Sequence, residues 1–179
     1  MNDPNDIECV QGMRSGDMRY FQIIVHRYSS RVFALVAGIV RSRERAEEIV
    51  SDVFFKVYDK IGDFKAKSSF ATWLYRIAYN AAISDARRKN MLGSDSAMDI
   101  STVSVADEDE GWEQKEENIS KMERAIEMLA PQERSLVRLY YWDDKSVSDI
   151  ADIVGMSQAA VKTKLFRIRA ALKNFMKNE

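Results

Sequence analysis

Residues 146–172 read SVSDIADIVGMSQAAVKTKLFRIRAAL, the pattern of two helices joined by a tight turn. Ser146 or Ser148 can cap the first helix, because a serine side chain accepts a hydrogen bond from a free backbone N–H. Gly155 lies four positions after a small residue and supplies the positive φ angle that the turn requires. Ser157 can cap the second helix. This spacing predicts a helix-turn-helix.

The second helix of this motif has one apolar face and one basic face. Its apolar stripe repeats at three- and four-residue spacing and consists of Val161, Leu165, Ile168 and Leu172. From residue 157 onward the chain has six basic residues and one acidic residue. Polar side chains at the start of such a helix suit base edges, and repeated cations suit phosphates. The pattern therefore predicts that this helix binds double-stranded DNA.

The first half of the chain has helical apolar spacing throughout. Apolar residues recur every three or four positions over about residues 16–40, which predicts one long helix or two. A further helix is expected to end near residue 61. A third long helix is expected over about residues 70–89, with Ser68 or Ser69 as its cap.

The helix over residues 70–89 has more aromatic and basic surface than a core requires. Tyr75 and Tyr79 alternate with cations such as Arg76 and Arg87. Rings that stack on bases, beside cations that neutralise phosphates, are typical of a site for single-stranded nucleic acid. The alternative is that both tyrosines pack at the rim of the domain and the cations favour the C-terminus of the helix.

Charge divides the chain into three parts, although the net charge is only −1. Residues 1–92 carry a net charge of +4, residues 93–118 carry −8 and residues 119–179 carry +3. The middle part is rich in Ser, Asp, Glu and Gly and has no sustained helical period, which indicates a flexible linker. A surface loop inside one domain is the alternative, but structureless loops of this length are uncommon. We therefore expect two small helical domains joined by a flexible acidic linker.

The composition of the 179 residues excludes several classes of protein. The counts of 7 Gly and 2 Pro argue against an all-β fold. One cysteine excludes a disulfide framework, and one histidine argues against a histidine-ligated metal or a Ser-His-Asp triad. No apolar run has the length of a membrane span, and the first residues do not resemble a signal peptide. We expect an all-α cytoplasmic protein without a cofactor or metal.

In chain order, four segments resemble those of the extracytoplasmic-function (ECF) sigma factors, promoter-specificity subunits of bacterial RNA polymerase. They are similar to the polymerase-binding helix, the promoter-melting segment, the opening of a second-domain helix and the recognition helix of that family. The segments are residues 45–58, 64–80, 131–134 and 161–169. A helix-turn-helix alone is a weak signal, whereas these four matches in this order are specific. The resemblance implies that residues 1–92 are region 2 and residues 119–179 are region 4 of a sigma factor.

The resemblance implies a polymerase-docking site on the second helix, which in the family binds a coiled coil of the largest polymerase subunit. The matching residues are Glu48, Ser51, Asp52 and Phe55. Glu48 and Asp52 are four residues apart and share a helix face, where they can meet basic residues. Ser51 departs from the glutamine that is usual in the family. A solvated acidic helix face is the alternative.

The resemblance also implies a site for the melted, downstream minus-ten element. Capturing an extruded base offsets the cost of unstacking it, so binding can open a duplex without ATP. Phe64 could instead be an aromatic residue of the core. The positions assigned to this site are Phe64, Lys67, Ser68, Ser69, Arg76, Asn80, Arg87 and Arg88.

The recognition helix is implied to read the upstream, minus-thirty-five element as intact duplex. Lys162 can donate to guanine O6 and N7, and Phe166 can pack against a thymine methyl group. Other side chains of the set are better placed for phosphates. The full set is Ser157, Ala159, Lys162, Thr163, Lys164, Phe166 and Arg167.

The partners that the resemblance implies are core RNA polymerase, promoter DNA and an anti-sigma factor. Contacts with polymerase would be made to the largest-subunit coiled coil and to the flap, and DNA would be bound in both double-stranded and melted form. The linker would thread a basic channel near the RNA exit path. Polymerase supplies the chemistry, so no enzyme activity and no direct membrane insertion are expected.

Competing functions make different demands on the sequence. The main alternative is a helix-turn-helix transcriptional regulator that is not a polymerase subunit. A response regulator would need alternating strands and an acidic phosphorylation pocket, and a recombinase would need a strand-rich domain with a catalytic Ser or Tyr. The first half of the chain has neither pattern. A scaffold or anti-sigma role would not require the basic recognition helix.

Overall fold

The computed structural model describes residues 3–91 and 121–178, and all regular structure in these two ranges is helical. Residues 121–128 form helix α5. The other helices are α1 (Asp6–Arg14), α2 (Met18–Val40), α3 (Arg43–Asp59), α4 (Phe70–Met91), α6 (Pro131–Tyr141), α7 (Val147–Val154) and α8 (Gln158–Asn178). The predicted all-α fold is confirmed. The linker predicted for residues 93–118 lies outside the described residues.

The helix-turn-helix has the ends that its sequence predicts. Ser146, not Ser148, caps α7, because its Oγ accepts a hydrogen bond from the backbone N–H of Asp149 at 3.1 Å. Gly155 has a φ of 70° and ends that helix in the left-handed conformation. The Oγ of Ser157 accepts from the N–H of Ala160 at 3.2 Å and caps α8. Local side-chain chemistry alone therefore fixes the turn between α7 and α8.

The structure decides between the one or two helices that the sequence allows at residues 16–40. The apolar stretch at 16–40 is the single helix α2, which ends at Arg41 in a left-handed conformation with a φ of 57°. Glycine is the usual residue at such a helix end. Ser69, not Ser68, caps α4, since the N–H of Thr72 donates to its Oγ at 3.1 Å.

Helix α2 is the central element of the first bundle and packs against α1, α3 and α4. By length and composition alone it could cross a membrane, with a mean hydropathy of 1.4, which the sequence analysis did not anticipate. In the folded chain its apolar face is part of the protein core. The residues buried on this helix are Ile24, Tyr28, Val32, Leu35, Val36, Ile39 and Val40.

The two halves of the chain pack against each other. Helix α6 lies against α2, and α7 lies against α4, so the helix-turn-helix shares a core with the first bundle. Tyr75 is 1% exposed and Tyr79 is 4% exposed, and both belong to this common core. This pairing could not be predicted from the sequence, because it depends on contacts between residues about 70 to 100 positions apart.

Candidate nucleic-acid and protein interfaces

The exposed face of α3 carries all four residues predicted to dock on a partner protein. Glu48, Ser51 and Asp52 are exposed, and the ring of Phe55 is 75% exposed. A large apolar side chain that stays in water beside carboxylates is typical of a protein-binding surface. This face is therefore available to a basic, partly apolar partner.

Arg45 fixes the orientation of this face, and sequence reasoning missed its role. Its Nε and Nη2 donate to Oδ1 of Asp85 on α4, at 3.0 and 2.7 Å, and its Nη1 donates to Glu48 on its own helix. Hydrogen bonds with Asp85 and Glu48 raise the pKa of Arg45 above its ordinary value. The spacing of three residues between Arg45 and Glu48 was a signal for the local pair, but not for the contact with α4.

The loop between α3 and α4 is built around a buried ring. Phe64 is 6% exposed, and its ring centroid lies 5.7 Å from that of Phe70 and 5.3 Å from that of Trp73. The prediction that this ring contributes directly to a base pocket is therefore corrected, because burial leaves it no free face. Phe64 instead anchors the loop to the core.

The rest of this loop points outward in a constrained conformation. Arg14 holds its start, with Nε donating to the carbonyl of Ile61 at 3.2 Å. Ala66 has a φ of 52°, a left-handed conformation that costs an alanine about 1–2 kcal/mol. Lys67 and Ser69 are exposed and Ser68 is half-buried. The loop therefore presents two cations, Lys65 and Lys67, beside the two serine hydroxyl groups.

Helix α4 continues this surface with polar and cationic side chains, but without stacking rings. The sequence left two roles open for Tyr75 and Tyr79, and their burial excludes the first, stacking on nucleic acid. They pack in the protein, but inside the core and not at the rim of the domain, where the alternative placed them. The sequence pattern could not decide between these roles, because a tyrosine on a helix can either stack on bases or pack against the protein. The residues of the predicted minus-ten set that stay exposed on this helix are Arg76, Asn80, Arg87 and Arg88.

Helix α8 presents the predicted recognition residues on one outward face. Phe166 is 70% exposed, although phenylalanine rings are usually buried in folded proteins. Thr163 donates its hydroxyl hydrogen to the carbonyl of Ala159 at 3.0 Å, which orients the side chain along the helix. Lys164 is half-buried, while the other members of the set are exposed. The exposed members are Ser157, Ala159, Lys162, Thr163, Phe166 and Arg167.

Arg134 is a second residue whose role sequence reasoning missed. It is 8% exposed, and burial lowers the pKa of its guanidinium to about 10. Its Nε donates to the carbonyl of Gly38 at 2.6 Å, and its Nη2 donates to that of Ile39 at 3.3 Å. Its Nη1 donates to the carbonyl of Leu129. One side chain thus binds carbonyl groups at the C-terminal end of α2 and the carbonyl of Leu129, two residues before α6 begins.

Comparison with known proteins decides which family has this arrangement. The family model described as Sigma-70 region 2 matches residues 24–91, and that described as Sigma-70, region 4 matches residues 119–172. The ECF RNA polymerase sigma-E factor of Escherichia coli (strain K12) is 31% identical, over 94% of this chain and 93% of the relative. The chain belongs to the ECF sigma factors. The resemblance found in the sequence is confirmed.

Other relatives of this ECF sigma factor agree in length and fold. The RNA polymerase sigma-H factor of Pseudomonas aeruginosa is 24% identical, over 96% of this chain and 94% of the relative. CnrH, solved in complex with the cytosolic domain of CnrY, superposes with a TM-score of 0.69 at 20% identity, covering 97% of this chain and 98% of CnrH. RpoE from Bartonella quintana, solved with the anti-sigma factor NepR, gives 0.66 at 23% identity, covering 88% and 96%. At these identities the two structures share the fold.

Family membership settles the general function of the chain. It is an RNA polymerase sigma factor, which acts with core polymerase on promoter DNA and is not an enzyme. The alternative of a helix-turn-helix regulator outside the polymerase is not favoured.

Proposed function

We propose that this ECF sigma factor divides promoter recognition between region 2 at residues 1–92 and region 4 at residues 119–179, joined by a linker at 93–118. The observation that carries this proposal is the position of the polar and cationic surfaces. One lies on the loop before α4 and on α4 itself, and another lies on α8 in the other half of the chain. Each half can therefore bind its own promoter element.

The α3 face docks on core polymerase. Glu48 and Asp52 supply negative charge for basic residues of the largest-subunit coiled coil, and Ser51 lies between them. Phe55 supplies an apolar contact, because removing its exposed ring from water lowers the free energy of the complex. Region 4 meets the flap of the same enzyme.

Region 2 binds the melted minus-ten element with the loop and the exposed strip of α4. Ser68 and Ser69 can hydrogen-bond to an extruded base or to its backbone, and Asn80 has both a donor and an acceptor for a base edge. The cations of this surface neutralise phosphates of the single strand. They are Lys67, Arg76, Arg87 and Arg88.

Region 4 reads the minus-thirty-five element with α8 in the major groove. Lys162, Thr163 and Phe166 face the bases, where the lysine can donate to guanine and the ring can pack on a thymine methyl group. The helix N-terminus lets the backbone approach a phosphate at Ala159. Phosphate contacts that set the register come from Ser157, Lys164 and Arg167.

Assembly on polymerase makes two modest DNA contacts effective together. Tethering both regions to one enzyme raises the local concentration of each at a promoter with correctly spaced elements. The free protein should bind DNA weakly and with strong salt dependence. The acidic linker is assigned to a basic channel near the RNA exit path, where its charge also repels stray DNA.

Regulation of this chain is assigned to an anti-sigma factor in the cytoplasm. This assignment rests on the structural neighbours, since both CnrH and RpoE were solved with a bound protein partner. The α3 face and the α8 face are the surfaces that such a partner would need to cover to prevent transcription.

Run-off transcription with core polymerase and genomic fragments tests these assignments. F166A should give fewer promoter-dependent transcripts and keep its affinity for core polymerase, whereas D52K should lose that affinity. The matched control is R169A, because Arg169 is on the same helix but donates to the carbonyl of Leu165 on its own helix, at 3.3 Å. Full transcription by F166A, or loss of transcription by R169A alone, would contradict the assignment of α8.

A further inference from the structure

Two arginine side chains approach one carboxylate on α4. The Nε and Nη2 of Arg45 on α3 donate to Oδ1 of Asp85 at 3.0 and 2.7 Å. The Nη2 of Arg88, three residues further along α4, lies 3.7 Å from the same oxygen. The first two distances are those of hydrogen bonds, and the third is too long for one. Arg45 therefore holds Asp85 by hydrogen bonds, whereas Arg88 makes only an ionic contact with it.

Exposure to solvent separates the roles of the two arginines. The side chain of Asp85 is 15% exposed, that of Arg45 is 42% exposed and that of Arg88 is 71% exposed. A carboxylate that is mostly shielded from water needs a partner, and Arg45 supplies two donors to it. An exposed ion pair contributes little to stability, so the contact with Asp85 restrains Arg88 only weakly. The guanidinium of Arg88 is therefore available to a phosphate.

Arg45 is held in this position from its other side as well. Its Nη1 donates to the carboxylate of Glu48, one turn along α3. All three nitrogens of the guanidinium are thus engaged, two with Asp85 and one with Glu48. Such a fork fixes the plane of the side chain, which a single contact does not do. One residue therefore joins the face proposed to dock on polymerase to the helix proposed to bind the melted strand.

Removal of Arg45 would leave Asp85 to pair with Arg88. The two residues are three positions apart on α4 with the acid first, an order that favours a pair along a helix. A shift of about 1 Å would bring Arg88 within hydrogen-bond distance of Oδ1. Arg88 would then be tied to its own helix, and the charge of Asp85 would no longer be balanced by α3. Both changes oppose the binding of a phosphate at this position.

We propose that Arg45 is a positioning residue for minus-ten recognition: it occupies Asp85 and so leaves Arg88 free to bind a phosphate of the melted strand. This proposal rests on the function proposed above for Arg88. Arg45 itself does not need to touch DNA, because it acts through the carboxylate that the two arginines share. Loss of Arg45 should therefore be corrected by a second change that removes the charge of Asp85.

A binding measurement with core polymerase tests this role. The probe is a promoter fragment selected by run-off transcription and opened at its minus-ten segment by a mismatched bubble. Core polymerase is kept at saturation, so that a changed affinity for the enzyme does not enter the result. R45A should bind the fragment about tenfold more weakly, the loss expected for a hydrogen bond to a charged group. R45A/D85N should bind like the parent chain, because Arg88 is free again.

The matched control is R43A on the same helix. Arg43 pairs with Glu47 on α3 at 3.0 Å and lies over the ring of Phe33, so its loss should leave the affinity unchanged. Parent-like binding by R45A, or equally weak binding by R45A and R45A/D85N, would overturn the proposal. R45Q keeps the length of the side chain without its charge, and it replaces R45A if the alanine variant does not fold.

A double-mutant cycle shows whether the effect passes through Arg88. R88A should weaken binding as much as R45A, and R45A/R88A should lose nothing further, since the two changes remove the same phosphate contact. Losses that add in R45A/R88A would mean that Arg45 acts on DNA by another route, which would overturn the proposal.

The ionic contact itself can be followed in the free chain, without DNA or polymerase. By NMR, the Nε–H of Arg88 should exchange with solvent severalfold more slowly in R45A than in the parent chain, and D85N should restore the faster rate. Equal exchange rates in the parent chain and R45A would overturn the proposal. If R88A bound the fragment like the parent chain, the assignment of Arg88 to the minus-ten strand would fail, while the exchange rates would still decide whether Arg45 keeps Arg88 away from Asp85.

Discussion

The Oδ2 of Asp143 lies 3.5 Å from the Nε of Arg138, and both atoms are buried where region 4 meets region 2. Lys145 on the same loop places its ammonium 4.9 Å from the ring centroid of Tyr75 on α4. Burial raises the pKa of Asp143, although Arg138, Lys145 and Arg31 act in the opposite direction. At the junction between the regions, the desolvation of the Asp143 carboxylate therefore outweighs the stabilisation that the nearby cations give to its charged form.

The charge of Asp143 should cost stability at neutral pH. A carboxyl group whose folded pKa lies above its unfolded value destabilises the fold as an anion, and the cost disappears below the unfolded pKa. D143N should therefore resist urea at least as well as the parent chain at pH 7, with no advantage near pH 3. D144N is the control, because Asp144 is exposed. A lower midpoint for D143N at pH 7 would mean that the ion pair outweighs desolvation.

Arg134 should be intolerant of replacement by lysine. The lysine keeps the charge but loses the fork that reaches the carbonyls of Gly38 and Leu129 together. We expect R134K to lower the free energy of unfolding by about 1–3 kcal/mol, measured by urea titration. R169K, at an exposed position, should change it by less than about 0.5 kcal/mol. Equal effects of the two changes would argue against a structural role for Arg134.

Ala66 should be improved by glycine, although glycine is usually destabilising. Its φ of 52° is in the left-handed region, where an alanine side chain is strained and glycine is not. A66G should raise the free energy of unfolding by up to about 1 kcal/mol, whereas A81G, in the middle of α4, should lower it by about 1 kcal/mol. Thermal denaturation of the two variants side by side would show opposite signs, and a loss in both would exclude strain at Ala66.

Two helical glycines should respond oppositely to alanine. A Cβ on Gly12 would lie 2.0 Å from Cδ2 of Tyr20, whereas nothing lies within 4 Å of a Cβ on Gly38. G12A should therefore cost about 1–3 kcal/mol by forcing α1 away from the ring, and G38A should gain about 0.5–1 kcal/mol from helix propensity. Urea midpoints provide the measurement. A gain in G12A would show that the Tyr20 ring moves freely.

The helix-turn-helix could be predicted from sequence because its determinants are local. Ser146, Gly155 and Ser157 act on backbone groups within a few residues of themselves, so their spacing specifies the caps and the turn. The outward face of α8 follows in the same way from the period of its apolar stripe. The exposed face of α3 could also be predicted from the sequence, because Phe55 lies off the apolar stripe of that helix.

The pairing of the regions could not be predicted, because it depends on contacts between distant residues. Nothing near Thr72 in sequence indicates that its hydroxyl bonds to Asp149. The role of Tyr75 and Tyr79 stayed open for the same reason, because contacts such as that of Lys145 with the Tyr75 ring join residues far apart in sequence. Phe64 was misassigned for a related reason, since only the folded loop shows its ring against Phe70 and Trp73.

Footprinting of the open complex is the most direct measurement of the central claim that one chain serves both promoter elements. With polymerase and the parent chain on a selected fragment, we predict protection of an upstream duplex segment and permanganate reactivity of a downstream segment. F166A should lose the upstream protection on a fragment that still opens, and N80A should lose the downstream reactivity with the upstream protection intact. If either variant removed both signals equally, or if the signals were exchanged, the assignment of α8 and α4 to separate elements would be contradicted.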